Sequence, residues 1–193
     1  MAYVDYATEF AYLKLANNND QLLVQAALDA AQGWIEDHTM RKFECLADTT
    51  RIFDLPNDLH TLPVDTDLLS VTTLTNGTGV PIDATYFYLE PLNSPPYSQI
   101  KIYAISPVIF YPSVLGSTEA CIQVTGKWAY SLTPPNGIID ATKELAKFFY
   151  RRMANADNTA DAAVYGPDGS VTYPGKVPSI IWSLIAPYIR RGL

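Results

Sequence analysis

The sequence has few cysteines, few charged residues and no long apolar run. Cys45 and Cys121 are the only two cysteines in 193 residues, too few for a disulfide framework and without C-x-x-C spacing. No apolar run approaches the roughly 18 residues of a membrane span, and the start, MAYVDYATEF, lacks the basic and apolar regions of a signal peptide. We therefore expect a soluble protein, synthesised in a cytosol, with reduced cysteines and no membrane partner.

Residues suited to catalysis are also scarce. The two histidines, His38 and His60, accompany no nucleophile motif, and with the cysteines they fit none of the usual zinc-ligand spacings. We interpret the acidic pair in Asp65-Thr66-Asp67 as part of a turn, because Asp and Thr are common there. Asn76-Gly77-Thr78-Gly79 is typical of a hairpin turn, since no Lys-Ser/Thr pair follows it as in a phosphate-binding loop. The sequence thus predicts no catalytic, metal or cofactor site.

The composition is that of a globular chain with an uneven charge. Hydrophobic residues make up 48% and charged residues 17%, and the net charge is −7. Residues 1–100 hold 4 Lys/Arg and 14 Asp/Glu, whereas residues 101–193 hold 9 and 6. The acidic balance argues against tight wrapping of nucleic acid. The asymmetry suits complementary faces between stacked copies or partners, although two halves that differ only in solvation explain it equally well.

The strongest helix signal lies in WAYSLTPPNGIIDATKELAKFFYRR, residues 128–152. Pro134 and Pro135 cannot occupy a helix interior, so the helix begins just after them. A short strand, Cys121–Thr125, precedes it, and we expect Gly126 to end that strand. Arg152 lies about 120° around the helix from Asp140, at the margin of the apolar face, and needs a partner or an exit to water. We predict a carboxylate or carbonyl partner, from another segment or from another subunit, and count Arg152 in the candidate interface. The predicted apolar face consists of Ile138, Ala141, Leu145, Phe149 and Met153.

Two helices are predicted before residue 40. Asp5 or Thr8 can begin a short one, with Tyr6, Phe10 and Leu13 inward. The second, Asn18–His38, starts with a capping-box pattern. Its main apolar stripe is predicted to be Leu23, Ala26, Ala27, Ala30 and Trp34, and a second arc adds Val24, Leu28, Ala31 and Ile35. We interpret Val24, Leu28 and Ile35 as a surface for a neighbouring protomer or the β region; the alternative is a helix buried on two sides of its own core.

From residue 49 to 125 the sequence is typical of β structure. Five short strands are predicted, at 51–55, 70–75, 85–89, 99–103 and 120–125. The fold class is therefore α+β: a helical bundle with an inserted small antiparallel β subdomain. The predicted segments are N-terminal helices at 1–48, the β subdomain at 49–126, and at 127–193 the central helix, a long loop and a C-terminal helix.

Residues 154–176 form a weakly apolar loop, and a short helix follows from Pro178. Because Val164-Tyr165 and Val171-Thr172-Tyr173 have β character, we interpret the loop as an arm that orders on assembly and places Tyr165 and Tyr173 against a partner. The alternative is a loop folded back on the β subdomain. In the last helix Trp182 and Ile189 point away from the apolar face and join the candidate interface.

Three segments together resemble the head-tail connector, or adaptor, proteins of long-tailed bacteriophages and gene transfer agents. They are IEDHTMRKF (35–43), IQVTGKWAYSLTPPNGIIDATKELAKFFYRR (122–152) and VPSIIWSLIAPYIRR (177–191), in this order. The resemblance covers nearly the whole chain, with a longer β region and loop than in shorter members. It implies a structural virion protein of the neck, assembled as a dodecameric ring. The ring would bind the portal protein on one side and a stopper or tail-completion protein on the other, while double-stranded DNA passes through its centre, with no cofactor and no catalysis.

Two other functions remain open at the level of the sequence. The chain has 13 Tyr, 3 Trp and 7 Phe, many outside clean core stripes, and a Tyr-rich sheet can bind carbohydrate as well as protein. A sugar-binding module would place its tyrosines along one exposed sheet of a monomer. A small enzyme would show a concave pocket with titratable groups of shifted pKa.

Overall fold

The computed structural model describes residues 3–15, 18–154, 164–165, 171–172 and 176–190. The chain forms two compact units: a helical unit, Met1–Met40 with Pro134–Leu193, and a β unit, Arg41–Thr133. The β unit is inserted into the sequence of the helical unit, so the α+β class with an inserted antiparallel subdomain is confirmed.

The unit boundaries lie outside those expected at residues 48 and 126. The reason is that the two ends of the β unit bind each other. The backbone N–H of Tyr130 donates to the Lys42 carbonyl at 2.7 Å, and the Ser131 hydroxyl donates to the Phe43 carbonyl at 3.2 Å. Residues 41–48 and 127–133 therefore belong to the β unit rather than to the helices.

In its described residues the helical unit has four α-helices. They are α1 (Tyr6–Tyr12), α2 (Gln21–Thr39), α3 (Asn136–Ala154) and α4 (Ser179–Ile185), with 3₁₀ turns at Asn18–Asp20 and Ala186–Tyr188. Asp5 caps α1 as predicted, accepting the Thr8 N–H at 2.8 Å. The capping box predicted from Asn18 and Gln21 stays a prediction, because the Asn18 side chain is outside the described structure. A 3₁₀ turn precedes α2, and the Asp20 carboxylate accepts the Tyr150 hydroxyl at 2.7 Å.

The core of the helical unit lies mainly between α2 and α3. Small side chains alternate with branched ones, which allows the helix backbones to approach closely. The predicted face of α3 is largely confirmed: Ile138, Ala141 and Leu145 are fully buried, whereas Met153 is exposed. From α2 the buried apolar residues are Val24, Ala27, Leu28, Ala31 and Ile35, and α4 adds Ile181 and Ile185.

The β unit contains two antiparallel sheets. One has the order β1 (Thr49–Phe53), β7 (Ile122–Lys127), β3 (Ser70–Thr75), β4 (Pro81–Ile82); the other has the order β2 (Thr61–Leu68), β6 (Tyr97–Ile102), β5 (Phe87–Glu90). The register places Val124 opposite both Arg51 and Leu74. The apolar core includes Leu62, Val64, Leu68, Leu74, Ile100, Phe110, Ile122, Val124 and Trp128. In the helical unit, β8 (Val164–Tyr165) and β9 (Val171–Thr172) form a separate two-stranded pair.

Two predictions in the β unit are wrong. Asp65-Thr66-Asp67 lies in strand β2, not in a turn, because Arg51 and Arg41 pair with its two carboxylates at 3.1 and 2.8 Å. Gly126 does not end β7: a Cβ there would lie 2.0 Å from the Ser70 carbonyl, so glycine permits a close approach of β3 beside its register shift. The Asn76–Gly79 turn is confirmed, with Gly79 donating to the Asn76 carbonyl at 2.8 Å.

Candidate interaction surfaces

The outer face of α2 is an apolar helix surface without a neighbour in the described structure. Leu22 is 85% exposed, and Leu23, Ala26 and Ala30 share its side of the helix. The faces of α2 are therefore reversed from the prediction. Most of the stripe predicted to lie in the core is exposed, including Leu23, Ala26 and Ala30. The residues predicted to form an interface, such as Val24 and Leu28, lie in the core.

The predicted interface residues Val24, Leu28 and Ile35 must be corrected accordingly. Each has no exposed area within the protomer, so none is available to a partner on this folded chain. The cause is the composition of α2, which is apolar over most of its circumference, so periodicity alone cannot show which side α3 covers.

An aromatic corner joins α2 to α4. The Trp34 ring stacks on His38 with centroids 3.8 Å apart, and Trp182 packs edge-on against both, at 4.9 Å from Trp34 and 5.3 Å from His38. Trp182 remains 43% exposed. The corner is thus fixed by ring packing within the protomer and still presents an aromatic edge to the surface.

The C-terminal end of α3 combines apolar and basic side chains. Phe148 and Phe149 are half-buried, with ring centroids 5.7 Å apart, and Met153 is exposed. Arg151 and Arg152 are exposed on the last turns of the helix, where positive charge suits the helix dipole. The carboxylate or carbonyl partner predicted for Arg152 stays a prediction.

Helix α1 is held on α3 by Tyr12. Its hydroxyl donates to Glu144, and the Lys147 ammonium lies 5.2 Å from the centroid of its ring. The hydrogen bond to the Glu144 carboxylate, together with partial burial, raises the pKa of Tyr12 to about 12. A neutral phenol therefore keeps its donor role throughout the physiological range.

Glu9, one turn earlier on α1, is fully buried and neither carboxylate oxygen has a hydrogen-bond partner. Burial raises the pKa of Glu9 to about 7, with the positive charges of Lys143 and Lys147 acting in the opposite direction. The inward residues predicted for α1 are only half-buried, and the sequence prediction missed Glu9. No periodicity rule places a carboxylate in a core, so no signal identified it.

The β unit carries an apolar projection, the turn Ser113–Ser117. Ser113 donates its N–H to the Ser117 carbonyl and accepts the Gly116 N–H, both at 2.8 Å. This closed turn presents Val114 and Leu115 at its tip, 80% and 97% exposed. The sequence prediction did not single them out, although two large aliphatic residues next to a turn glycine were a usable signal.

Two open cavities offer little to a catalytic interpretation. One, of about 530 Å³, lies in the β unit between Phe53, Asp58 and Gln99; the other, of about 550 Å³, lies in the helical unit between Val4, Gln25 and Glu36. Each is lined by one carboxylate of lowered pKa, in both cases through local hydrogen bonds: the Thr61 side chain lowers the pKa of Asp58 in the first cavity, and the Thr8 N–H lowers that of Asp5 in the second. Among the described residues no three His, Cys, Asp or Glu side chains are grouped to hold a metal.

The remaining sequence candidates have these positions. Ile189 follows the last 3₁₀ turn and is exposed. Tyr165 lies in β8, and Tyr173 is outside the described residues, so the interpretation of residues 154–176 as an arm stays a prediction.

Of the two cysteines, Cys121 is buried and Cys45 is half-buried; both are free thiols. In the parts of the chain that are described, no helix has both the length and the apolarity needed to cross a bilayer.

The fold, a helical unit with an inserted antiparallel β unit, is that of chains found in the neck of gene transfer agent particles. One such chain, in the neck of an empty particle computed with C6 symmetry, matches with a TM-score of 0.61 and 16% identity over 99% of this chain and 92% of that one. A chain in the virion of a native particle matches with a TM-score of 0.57 and 18% identity, over 99% and 92%. A third, in a native neck computed with C12 symmetry, gives 0.57 and 15%, over 97% and 89%. No protein-family model and no curated protein sequence matches the chain.

Proposed function

We propose that this chain is a structural protein of the neck of a tailed phage or gene-transfer-agent particle, where it acts as the head-tail connector, or adaptor. The observation that carries this proposal is the match in fold between this chain and neck chains, which extends over nearly the full length of both aligned chains. A fragment or a common small motif would not align over both chains so completely. The protein then acts by assembly rather than by catalysis, within the virion neck and after synthesis in the host cytoplasm.

In this function, twelve copies form a ring that joins the portal protein to a stopper or tail-completion protein. The C12 symmetry applied to one neck structure supports the copy number, and the exposed apolar faces of α2 and of the Ser113–Ser117 turn support protein contacts. Double-stranded DNA passes through the centre. The net charge of −7 suits this passage, because an acidic wall does not hold phosphates.

Electron microscopy and mass measurement of the purified protein, with and without the portal of the same particle, test the proposal. We expect closed rings of a single copy number, alone or on the portal, and no nucleotide-sequence preference for DNA. A protein that stays monomeric in both conditions would contradict the proposal. Specific binding to an immobilised glycan by that monomer would favour the carbohydrate-binding alternative, and turnover of a small substrate would favour an enzyme.

A further inference from the structure

Two surfaces of the helical unit present apolar side chains of different size. The outer face of α2 combines an almost fully exposed leucine, Leu22, with two small residues, Ala26 and Ala30, that allow another element to come close. The C-terminal end of α3 presents larger side chains, with Phe148 half-buried and Met153 exposed. Bulky apolar groups against a face of small residues are a common way for helices to pack.

The same two surfaces are complementary in charge. Helix α2, described over its whole length, contains no Lys or Arg, and its exposed side carries Asp29 and Asp37. The end of α3 carries Arg151 and Arg152, both exposed. Opposite charges at the rim of an apolar contact favour correct pairing and penalise wrong pairing.

A second copy of this chain is the partner that these charges select. Contact between two α2 faces would bring Asp29 and Asp37 of both copies together, and contact between two α3 ends would bring the arginines together; like charges disfavour both. Contact between unlike faces avoids this repulsion, and the proposed ring requires that contact between successive copies rather than reciprocally within one pair. Such a head-to-tail contact produces a ring when the rotation between copies closes, which is the symmetry of the proposed connector.

We propose that the outer face of α2 in one copy binds the C-terminal end of α3 in the next copy, and that this contact holds the ring together. The inference rests on the proposed function for the existence of the ring. It goes further by naming the two surfaces, and it reassigns the contact from the buried Val24, Leu28 and Ile35 to the opposite side of α2.

The first test replaces Leu22 with glutamine, which keeps the length and helix propensity of the side chain but removes its apolar surface. The control is Ile105→Gln in the β unit, because Ile105 is 96% exposed and lies outside every surface to which a protein contact is assigned. Assembly is followed by native mass spectrometry and mass photometry against protein concentration. We expect Leu22→Gln to need a roughly tenfold higher concentration for half-assembly, while the control assembles like wild type.

The second test reverses the charges. Asp29→Arg with Asp37→Arg should block ring formation, and Arg151→Glu with Arg152→Glu should block it equally. A chain that carries all four substitutions again has opposite charges on its two faces, so it should recover most of the assembly. Circular dichroism checks that each variant keeps its helices.

The outcomes separate this inference from the proposed function. Wild-type rings that persist unchanged in Leu22→Gln and in both charge-reversed variants would overturn the α2–α3 contact and leave the connector function intact. Folded variants that lose assembly but fail to recover it when combined would overturn the pairing of these two faces. Wild-type protein that forms no ring, alone or on its portal, would overturn the connector function and this contact together.

Discussion

The β unit and the helical unit fill their cores with side chains of different size. In the β unit, Phe110 and Trp128 belong to a core closed between two sheets. The core of the helical unit relies on alanines such as Ala27 and Ala31, while Leu22, Trp182 and Ile180 remain exposed on its surface. The two units thus differ in the side chains that fill their cores, whereas both leave large apolar residues exposed, with Leu115 an example in the β unit.

One buried polar group in each unit provides a second comparison. In the β unit the Asn76 side chain is buried with partners at both ends of its amide: its NH₂ donates to the Ile109 carbonyl at 2.8 Å, and its oxygen accepts from the N–H groups of Tyr111 at 2.6 Å and Gly77 at 3.0 Å. In the helical unit Glu9 is buried without a hydrogen bond. A buried group with partners specifies one structure, whereas a buried group without them costs stability.

The largest effect should follow from opening the β core. Phe110→Ala is expected to lower the free energy of unfolding by roughly 3–5 kcal/mol, because it removes a fully buried ring. Hydrogen exchange should show faster opening of β6 and β7 than of α3. Leu115→Ala, at the exposed tip, serves as the control and should change stability by less than roughly 0.5 kcal/mol. Equal acceleration in both units would show that the two cores do not open separately.

A smaller loss is expected from Asn76→Ala. The substitution leaves the Ile109 carbonyl and the Tyr111 N–H without their partner, and we expect a cost of roughly 2–3 kcal/mol. Urea denaturation followed through Trp128 measures it. The exposed Asn57→Ala should be nearly neutral. If Asn76→Ala left the free energy of unfolding unchanged, water would have replaced the amide. The contrast between Asn76 and Glu9 would then not hold.

The pH dependence of stability tests the buried carboxyl of the helical unit. The pKa of Glu9 in the folded protein, about 7, lies above its ordinary value of 4.5, so the folded state retains a proton that the unfolded chain releases. Stability from this group is therefore full below pH 4.5 and falls as the pH rises to 7. Glu9→Gln should remove that loss, making the variant more stable than wild type by roughly 2 kcal/mol at pH 8. Thermal melts from pH 4 to 8 measure it; a difference that stays constant with pH would contradict the assignment.

The smallest expected effect comes from one glycine in each unit. A Cβ at Gly33 in α2 would meet nothing within 4 Å, so Gly33→Ala should stabilise the chain by about 1 kcal/mol through helix propensity. The same change at Gly126 in β7 should destabilise it, because the Cβ would collide with the Ser70 carbonyl. Chemical denaturation of the two variants gives both signs. A stabilising Gly126→Ala would show that β3 can move away.

Local signals in the sequence were sufficient wherever one element determines its own structure. The prolines before α3, the alternation of β7 and the cap of α1 are all local, and each predicted element is present. The face of α2 could not be predicted in this way, because its burial depends on which side α3 covers. Strand β2 was missed for a related reason. Its aspartates are typical of a turn, and the ion pair of Asp67 with Arg41, which explains an aspartate in a strand, joins residues distant in sequence. Buried Glu9 had no sequence signal at all.

The hydrogen bond between Tyr130 and Lys42 also bears on how the chain folds. Helices α2 and α3 are separated by roughly 90 residues, and closing so long a flexible loop costs about 4 kcal/mol of chain entropy. Once the β unit has formed, this bond holds its first and last residues together, and the loop that remains to be closed is only a few residues long. Most of that entropy is then already lost, so we expect the β unit to fold first and the helix pair to follow quickly. The inserted unit thus brings the ends of α2 and α3 together before the helices pack. We expect that another folded domain whose two ends are equally close could replace it and still allow the helix pair to form.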